Sequence, residues 1–129
     1  DAKRAFTWFA EAADQGDPQA QFNLGFAYMS GFGVVKDECT AVSWFEKAAS
    51  QGDAQAQSNL GFMYENGRGR PKDALCAAEW FEKAAEQGDA KAQYNLGNMY
   101  RCGRGVPKDE ARAVEWYRKA ADQGVAKAQ

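Results

Sequence analysis

Two residue types that matter for chemistry and for folding are missing from this chain. Histidine is absent, which removes the most common general base and the most common metal ligand. Isoleucine is also absent, and Val and Thr together number eight, whereas Ala numbers 25. Few β-branched residues and many alanines disfavour a sheet protein and favour helices. No apolar run approaches the roughly 20 residues that span a membrane.

Cysteine is sparse, and the positive and negative charges are nearly balanced. The three cysteines, Cys39, Cys76 and Cys102, form no C-x-x-C pair, so neither zinc nor thioredoxin-like chemistry is indicated. An odd number without a pairing pattern favours a reducing compartment only weakly. The net charge is −2 with both signs interspersed, which gives no nucleic-acid footprint. We therefore predict no metal, no cofactor, no nucleic-acid partner and no catalytic residues.

The chain is an internal repeat with a period of 36 residues. Four tryptophans recur at this spacing, and all 13 glycines fall in four registers. Residues 37–72 and 73–108 are identical at 24 of 36 aligned positions. The sequence thus predicts one repeat array over 1–129, with units 1–36, 37–72 and 73–108 and a partial unit at 109–129.

Each unit is predicted to hold two helices. An Asp register supplies an N-cap acceptor, and a Gly register supplies the left-handed residue that ends a helix. The links between them are short, so the two helices should pack antiparallel in an all-α superhelix. The predicted helices are 1–15, 17–30, 37–51, 53–66, 73–87, 89–102 and 109–123.

Helical spacing predicts which side chains are buried. The buried set is Trp44, Trp80, Leu24, Leu60, Leu96, Tyr64 and Phe81, and the exposed set is Lys47, Lys83, Glu46 and Glu82. Gly25, Gly61 and Gly97 lie beside the apolar face of the predicted helices 17–30, 53–66 and 89–102, which we call the first helices because each pairs with the helix that follows it. A residue without a side chain lets another helix approach closely there.

The chain resembles the Sel1-like repeat family, an α-solenoid relative of the tetratricopeptide repeat. The matching residues are Ala-x-x-Asn-Leu-Gly-x-Met-Tyr-x-x-Gly-x-Gly-x-Pro-Lys-Asp at 56–73 and 92–109, and Trp-Phe-Glu-Lys-Ala-Ala-x-Gln-Gly at 44–52 and 80–88. The resemblance implies a right-handed solenoid of helix pairs that acts in protein–protein interaction, mostly in bacteria. Family members are often exported, so the compartment stays open.

One branch of that family is cysteine-rich, with a disulfide that ties consecutive helices in each repeat. The matching positions here are Ala13/Gln21, Ala49/Gln57, Ala85/Gln93 and Ala121/Gln129. None of them is cysteine. The antibiotic-hydrolysing activity claimed for that branch is therefore not expected in this chain.

Positions that differ between copies are free to serve a partner. In the first helices these positions share one face, which by resemblance lines the concave groove of tetratricopeptide domains. The predicted partner-binding residues are Phe22, Phe26, Met29, Phe62, Glu65, Tyr94, Asn98 and Arg101, with Asn23, Asn59 and Asn95 at the groove edge. A peptide or partner protein would occupy this groove. Two alternatives remain: Phe22 and Phe26 pack against the preceding repeat, and the asparagine register is structural.

The sequence is compatible with three functions: a non-catalytic protein-interaction scaffold, an architectural spacer, and an envelope-glycan-binding or hydrolytic module. The last requires paired carboxylates or an aromatic platform, and the repeated tryptophans fit core positions better. The loop residues Arg68, Arg70, Lys72, Arg104 and Lys108 form a basic edge, which we interpret as solvated. The chain is also expected to be part of a longer solenoid. Phe6, Trp8 and Phe9 would then face outward, and the ends would stack on further repeats or another chain.

Overall fold

The computed structural model describes the backbone of residues 1–128 and the side chains of residues 1–124. Within this range the chain forms seven α-helices and no strand. They are α1 (Ala2–Asp14), α2 (Pro18–Ser30), α3 (Glu38–Ser50), α4 (Ala54–Asn66), α5 (Ala74–Glu86), α6 (Ala90–Cys102) and α7 (Glu110–Ala128). The first six agree with the predicted ranges to within one residue at each end, so the all-α prediction is confirmed. None of these helices is long and apolar enough to cross a membrane.

Repeated caps set the helix ends. The carboxylates of Asp37, Asp53, Asp73 and Asp89 each accept a hydrogen bond from the backbone N–H three residues later. At the other end, Gly31, Gly67 and Gly103 close α2, α4 and α6 with φ of 77°, 67° and 70°. Asp17 is the exception, because its side chain makes no cap hydrogen bond and Pro18 begins the helix instead.

The predicted end of the last helix at residue 123 is wrong. Helix α7 continues through Gly124 to Ala128. The corresponding Gly16, Gly52 and Gly88 have φ of 93°, 98° and 98° and break the chain there. An aspartate that can cap a new helix follows each of these three glycines, whereas Val125 follows Gly124. Without a capping acceptor, the backbone keeps its existing helical hydrogen bonds.

Consecutive helices pack against each other, most extensively in the pairs α2–α3, α4–α5 and α6–α7. A glycine in the first helix of each pair faces an aromatic ring of the second. A Cβ added to Gly25 would lie 2.9 Å from Phe45, one on Gly61 2.6 Å from Phe81, and one on Gly97 2.9 Å from Tyr117. The predicted close approach at these glycines is confirmed.

Buried glutamines connect each pair to its neighbours. The Nε2 atoms of Gln21, Gln57 and Gln93 donate to the carbonyl oxygens of Ala13, Ala49 and Ala85, at 3.3, 3.1 and 3.1 Å. Their Oε1 atoms accept from Gln51, Gln87 and Gln123 at 2.8, 2.9 and 2.8 Å. Each amide therefore joins three consecutive helices. It does so at the positions where the cysteine-rich branch is expected to carry its disulfides.

Burial agrees with the prediction for Leu24, Leu60, Leu96 and Phe81, which are buried. Lys47 and Lys83 are exposed, as predicted. The prediction is wrong for five other side chains, which are half-buried: Trp44, Trp80, Tyr64, Glu46 and Glu82.

The tryptophans pack on one side only. Trp44 lies against the cluster formed by Ala13, Ala20 and Leu24 of the preceding repeat. Its outer side is covered by the ammonium group of Lys47, 4.3 Å from the ring centroid. Trp80 and Lys83 repeat this arrangement at 4.6 Å. Glu46 is half-buried because Arg70 pairs with it at 3.2 Å.

Helix α1 has no repeat before it within the described residues, and its aromatic residues differ in exposure. Trp8 is 72% exposed, as predicted for an uncovered end. The same prediction is wrong for Phe6 and Phe9, which are half-buried. Both pack against the cluster of Ala13, Ala20 and Leu24, and Phe6 also meets the Tyr28 ring edge-on.

Candidate partner-binding face

Within the described residues, helices α2, α4 and α6 present equivalent sides on which large side chains remain exposed. The leucines Leu24, Leu60 and Leu96 point into the core and are buried. On the other side, Phe26 is 49% exposed, Phe62 44% and Tyr94 56%. We call this exposed side of α2, α4 and α6 the first-helix face. Half-exposed aromatic rings in successive helices give it apolar area that the fold does not bury.

A cavity of about 430 Å³ crosses the first-helix face. We call it the central cavity. Its lining comes from all three first helices and from the end of α7: Phe22, Phe26, Gln55, Ser58, Asn59, Gly88, Asp89, Ala90, Lys91 and Gln123. Its apolar side is formed by the phenylalanines of α2 and its polar side by α4 and α6. The cavity can therefore contact one ligand through three successive repeats.

A second cavity, of about 510 Å³, lies at the α6–α7 end and is lined by Tyr94, Asn98, Arg101, Tyr117, Ala120 and Ala121. We call it the tyrosine cavity. The Tyr94 and Tyr117 rings are 5.6 Å apart between centroids and tilted by 49°. The Tyr117 hydroxyl donates a hydrogen bond to Oδ1 of Asn98. The lining of this cavity includes no carboxylate.

Not every predicted site residue lines a cavity. Met29 is half-buried and packs against the core between α3 and α4. Phe22 lines the central cavity but also packs against Phe45, 5.6 Å away between ring centroids. It thus contributes to the core of the helix that follows, not the preceding one. Glu65 pairs with Arg104 at 3.6 Å, and Phe62 has the Arg68 guanidinium 5.9 Å from its ring centroid.

The asparagine register borders the cavities. Asn59 lines the central cavity, and Asn95 lines a cavity of about 350 Å³ together with Lys91 and Tyr94. Of these three asparagines, only Asn23 forms a side-chain hydrogen bond within the described residues, accepting from Gln19 at 3.4 Å. A structural hydrogen bond shared by all copies is therefore not present.

The loops between repeats are held by ion pairs. Arg68 pairs with Glu38, Arg70 with Glu46 and Arg104 with Glu65. Lys72 and Lys108 are exposed. The basic edge is thus largely neutralised by acidic residues of the same chain. Arg68 and Arg70 are half-buried in these pairs, so the interpretation of a solvated loop holds only for the exposed Lys72, Arg104 and Lys108.

The cysteines show no sign of shared chemistry. Cys39 and Cys102 are exposed, and all three cysteines are free. Burial raises the pKa of the Cys76 thiol, and the nearby Asp73 raises this pKa further. A raised pKa lowers the thiolate fraction and hence the reactivity. No group of three or more His, Cys, Asp or Glu side chains within the described residues could hold a metal ion.

Several cavity residues escaped the sequence prediction, among them Lys91 and Tyr117. Lys91 belongs to a register that differs between copies, Gln19, Gln55 and Lys91, so a signal for it was present. Tyr117 occupies the register of Phe45 and Phe81, which are fully buried. Only its hydroxyl distinguishes it, and the sequence does not show what that hydroxyl contacts.

The stacked helix pairs define an α-solenoid of repeated antiparallel hairpins. The Sel1 repeat family model matches residues 1–17, 18–53, 54–89 and 90–125. The chain therefore belongs to the Sel1 repeat family. Proteins of this family are generally protein-interaction modules and non-catalytic repeat scaffolds.

Solved structures agree with this assignment. A protective antigen of uropathogenic Escherichia coli with an SLR fold is 47% identical, with a TM-score of 0.94 over 96% of this chain and 27% of its own. A Sel1 repeat protein from Oxalobacter formigenes is 41% identical, with a TM-score of 0.91 over 96% of this chain and 49% of its own. The chain thus spans about a quarter and a half of these two proteins.

A more distant structure is the cysteine rich protein B of Helicobacter pylori. It is 27% identical, with a TM-score of 0.74, and the match covers 96% of this chain and 89% of that protein. A comparison with curated proteins gives no match.

Proposed function

We propose that this chain is a non-catalytic scaffold that binds a peptide or a partner protein along the first-helix face. The observation that supports this most strongly is the half-exposed row of Phe26, Phe62 and Tyr94 in three successive first helices. An architectural spacer would gain nothing from exposed aromatic side chains there. Large rigid side chains of this kind are favoured anchors of binding energy.

The face has a direction, which would fix the orientation of the partner. Its α2 end is apolar, with Phe22 and Phe26 in the central cavity. Its α6 end carries polar groups, with Asn98 and Arg101 in the tyrosine cavity. A partner would bury an apolar anchor near Phe26 and Phe62 and place a polar or acidic group near Arg101. An extended peptide or one face of a helix could satisfy both ends.

A hydrolytic module has less support. Acid/base hydrolysis of glycans requires two carboxylates roughly 5–9 Å apart across a cleft. The central cavity is lined by one carboxylate, Asp89, which caps α6 through the N–H of Ala92. The tyrosine cavity is lined by none.

The test separates an interface residue from a core residue within one helix. Peptides are selected from a phage-displayed library on the wild-type chain, and their affinities are then measured for Phe62→Ala and Leu60→Ala. We expect Phe62→Ala to weaken binding by about 1–3 kcal/mol with little loss of stability. Leu60 is fully buried, so Leu60→Ala should lower the free energy of unfolding by about 2–5 kcal/mol.

Leu75→Ala is the matched control, because Leu75 is exposed on α5 and away from the first-helix face. It should leave affinity and stability nearly unchanged. If Phe62→Ala instead unfolds the domain while residual affinity is intact, these aromatics belong to the core. A library that yields no binder would favour the architectural spacer.

A further inference from the structure

The third helix pair, α6–α7, carries polar groups at two positions where the pairs α2–α3 and α4–α5 carry phenylalanine rings. Asn98 occupies the register of Phe26 and Phe62, and Tyr117 that of Phe45 and Phe81. The Tyr94–Tyr117 contact keeps the geometry of the Phe22–Phe45 contact, with 5.6 Å between centroids in both and tilts of 49° and 47°. The packing is thus preserved while two hydrogen-bonding groups are added.

These two groups hydrogen-bond to each other, and the direction of the bond matters. The Tyr117 hydroxyl donates to Oδ1 of Asn98, so the oxygen of that amide faces Tyr117. The amide nitrogen of Asn98 keeps its two hydrogens for another acceptor. Arg101 adds a guanidinium, which can only donate. It forms no ion pair within the part of the chain that is described, and it lines the same cavity.

Lys91 extends this cationic surface along α6. Lys91, Tyr94, Asn98 and Arg101 follow at spacings of three, four and three residues, which is one helical face. Lys91 is exposed and lines the cavity on the other side of Tyr94. At 1.5 Å per residue, Lys91 and Arg101 are separated by about 15 Å along the helix. An extended peptide covers that distance in about four to five residues.

The charge of this face contrasts with that of the whole chain. The net charge is −2, yet α2 contains no charged residue, and the single carboxylate of α4, Glu65, pairs with Arg104. Lys91 and Arg101, the cations of α6, form no ion pair within the described residues, and the one carboxylate that lines a cavity beside them is Asp89, which caps α6. Charge complementarity favours an anionic partner at this end.

We propose that the α6 end of the face binds an acidic peptide segment through two side-chain carboxylates. One carboxylate would meet Arg101 and the amide of Asn98, the other would meet Lys91, and an apolar residue between them would pack on Tyr94. This assignment rests on the proposed function, because it names the partner of the same face. Two cations about 15 Å apart fit two spaced carboxylates better than a single chain-terminal carboxylate.

Fluorescence anisotropy with three matched nonapeptides tests the assignment. The first has blocked ends and a central tryptophan between two aspartates four residues apart. The second replaces both aspartates with asparagine, and the third is the asparagine peptide with a free terminal carboxylate. We expect the first to bind about tenfold more tightly than the second, as charge-assisted hydrogen bonds require. Added salt should reduce this preference.

Variants of the chain identify the residues that produce the preference for the aspartate peptide over the asparagine peptide. Arg101→Gln should reduce it to about twofold or less. The double variant Asn98→Phe/Tyr117→Phe should also reduce it while it folds normally, because the first pair already combines Phe26 with Phe45. Arg118→Gln is the charge-matched control and should keep the full preference, since Arg118 lines neither of these cavities.

Equal affinity for the first two peptides, with binding still sensitive to Phe62→Ala, would overturn the carboxylate assignment and keep the proposed function. Failure of all three peptides would count against both. If the third peptide binds more tightly than the first, the cavity recognises chain termini and the side-chain assignment is wrong. A preference that survives Arg101→Gln would also overturn it.

Discussion

The contact between Gly61 and Phe81 should make Gly61→Ala destabilising, although alanine is the better helix former. A Cβ at residue 61 would lie 2.6 Å from both Cδ1 and Cε1 of Phe81. Carbon atoms pack best at about 3.5–4.0 Å, so the ring would have to move by about 1 Å. Phe81 is fully buried, and its close-packed surroundings leave no space for that movement.

The magnitude follows from two opposing terms. Overpacking a well-packed core costs about 1–3 kcal/mol, and this separation places Gly61→Ala toward the upper part of that range. Replacing glycine with alanine inside a helix recovers about 1 kcal/mol. We therefore expect a net loss of about 1–2 kcal/mol in the free energy of unfolding, measured by urea denaturation followed by circular dichroism.

Two other glycines serve as controls for the separate terms. Gly124 lies within α7, and no neighbouring atom of the described residues comes within 4 Å of a Cβ added there, so Gly124→Ala should report the helix-propensity gain alone. Gly52→Ala also has open space, but its φ of 98° should make it destabilising through backbone strain. If Gly61→Ala is as stabilising as Gly124→Ala, the ring accommodates the methyl group, and close approach does not explain glycine at this register.

Two further perturbations test the caps and the glutamine contacts. The Thr40 hydroxyl and N–H donate to Asp37 and hold the pKa of its carboxyl below the ordinary value. The stabilisation from this cap is thus complete above about pH 4 and is lost as the pH falls through the lowered pKa. Asp37→Asn retains an acceptor but does not titrate, so urea titrations at several pH values should show its stability approaching that of the wild type on acidification. Separately, Ala49→Cys/Gln57→Cys should form a disulfide on oxidation, closing a loop of about nine residues. It should raise the free energy of unfolding over the reduced variant by about 2–3 kcal/mol, and a thiol assay that finds no pairing would contradict the equivalence with the cysteine-rich branch.

The helices could be predicted from the sequence because their start and stop signals repeat. Asp53 and Gly67, for example, cap α4 through local hydrogen bonds that involve few other residues. The prediction was wrong for the end of α7. Val125 occupies the aspartate register there, so no side chain is available to cap a further helix, and α7 continues. Local chemistry therefore determines these boundaries.

The extent to which a side chain is buried was harder to predict than the side of the helix on which it lies. A helical projection places Trp44 toward the preceding repeat, which is correct. It does not show that the other side of the ring is covered only by Lys47 and remains half-exposed. Similarly, Glu46 lies on the polar side of α3, but its contact with Arg70 of a later loop depends on how repeats stack. Contacts between repeats determine burial, and the projection of a single helix contains none of them.

The candidate site was likewise predictable only in part. Comparing copies was sufficient to find Phe26, Phe62 and Tyr94, because an exposed register is free to vary. Tyr117 was missed because its register is a core register in the other pairs, where it packs against a first-helix glycine. In Tyr117 one edge of the ring keeps that packing contact while the hydroxyl orients Asn98. The proposed ligand preference would thus depend on a half-buried packing position, where the substitution adds a polar atom at the rim and leaves the ring in place. Under this proposal, variation within core registers, and not only on the exposed face, carries information about specificity in this solenoid.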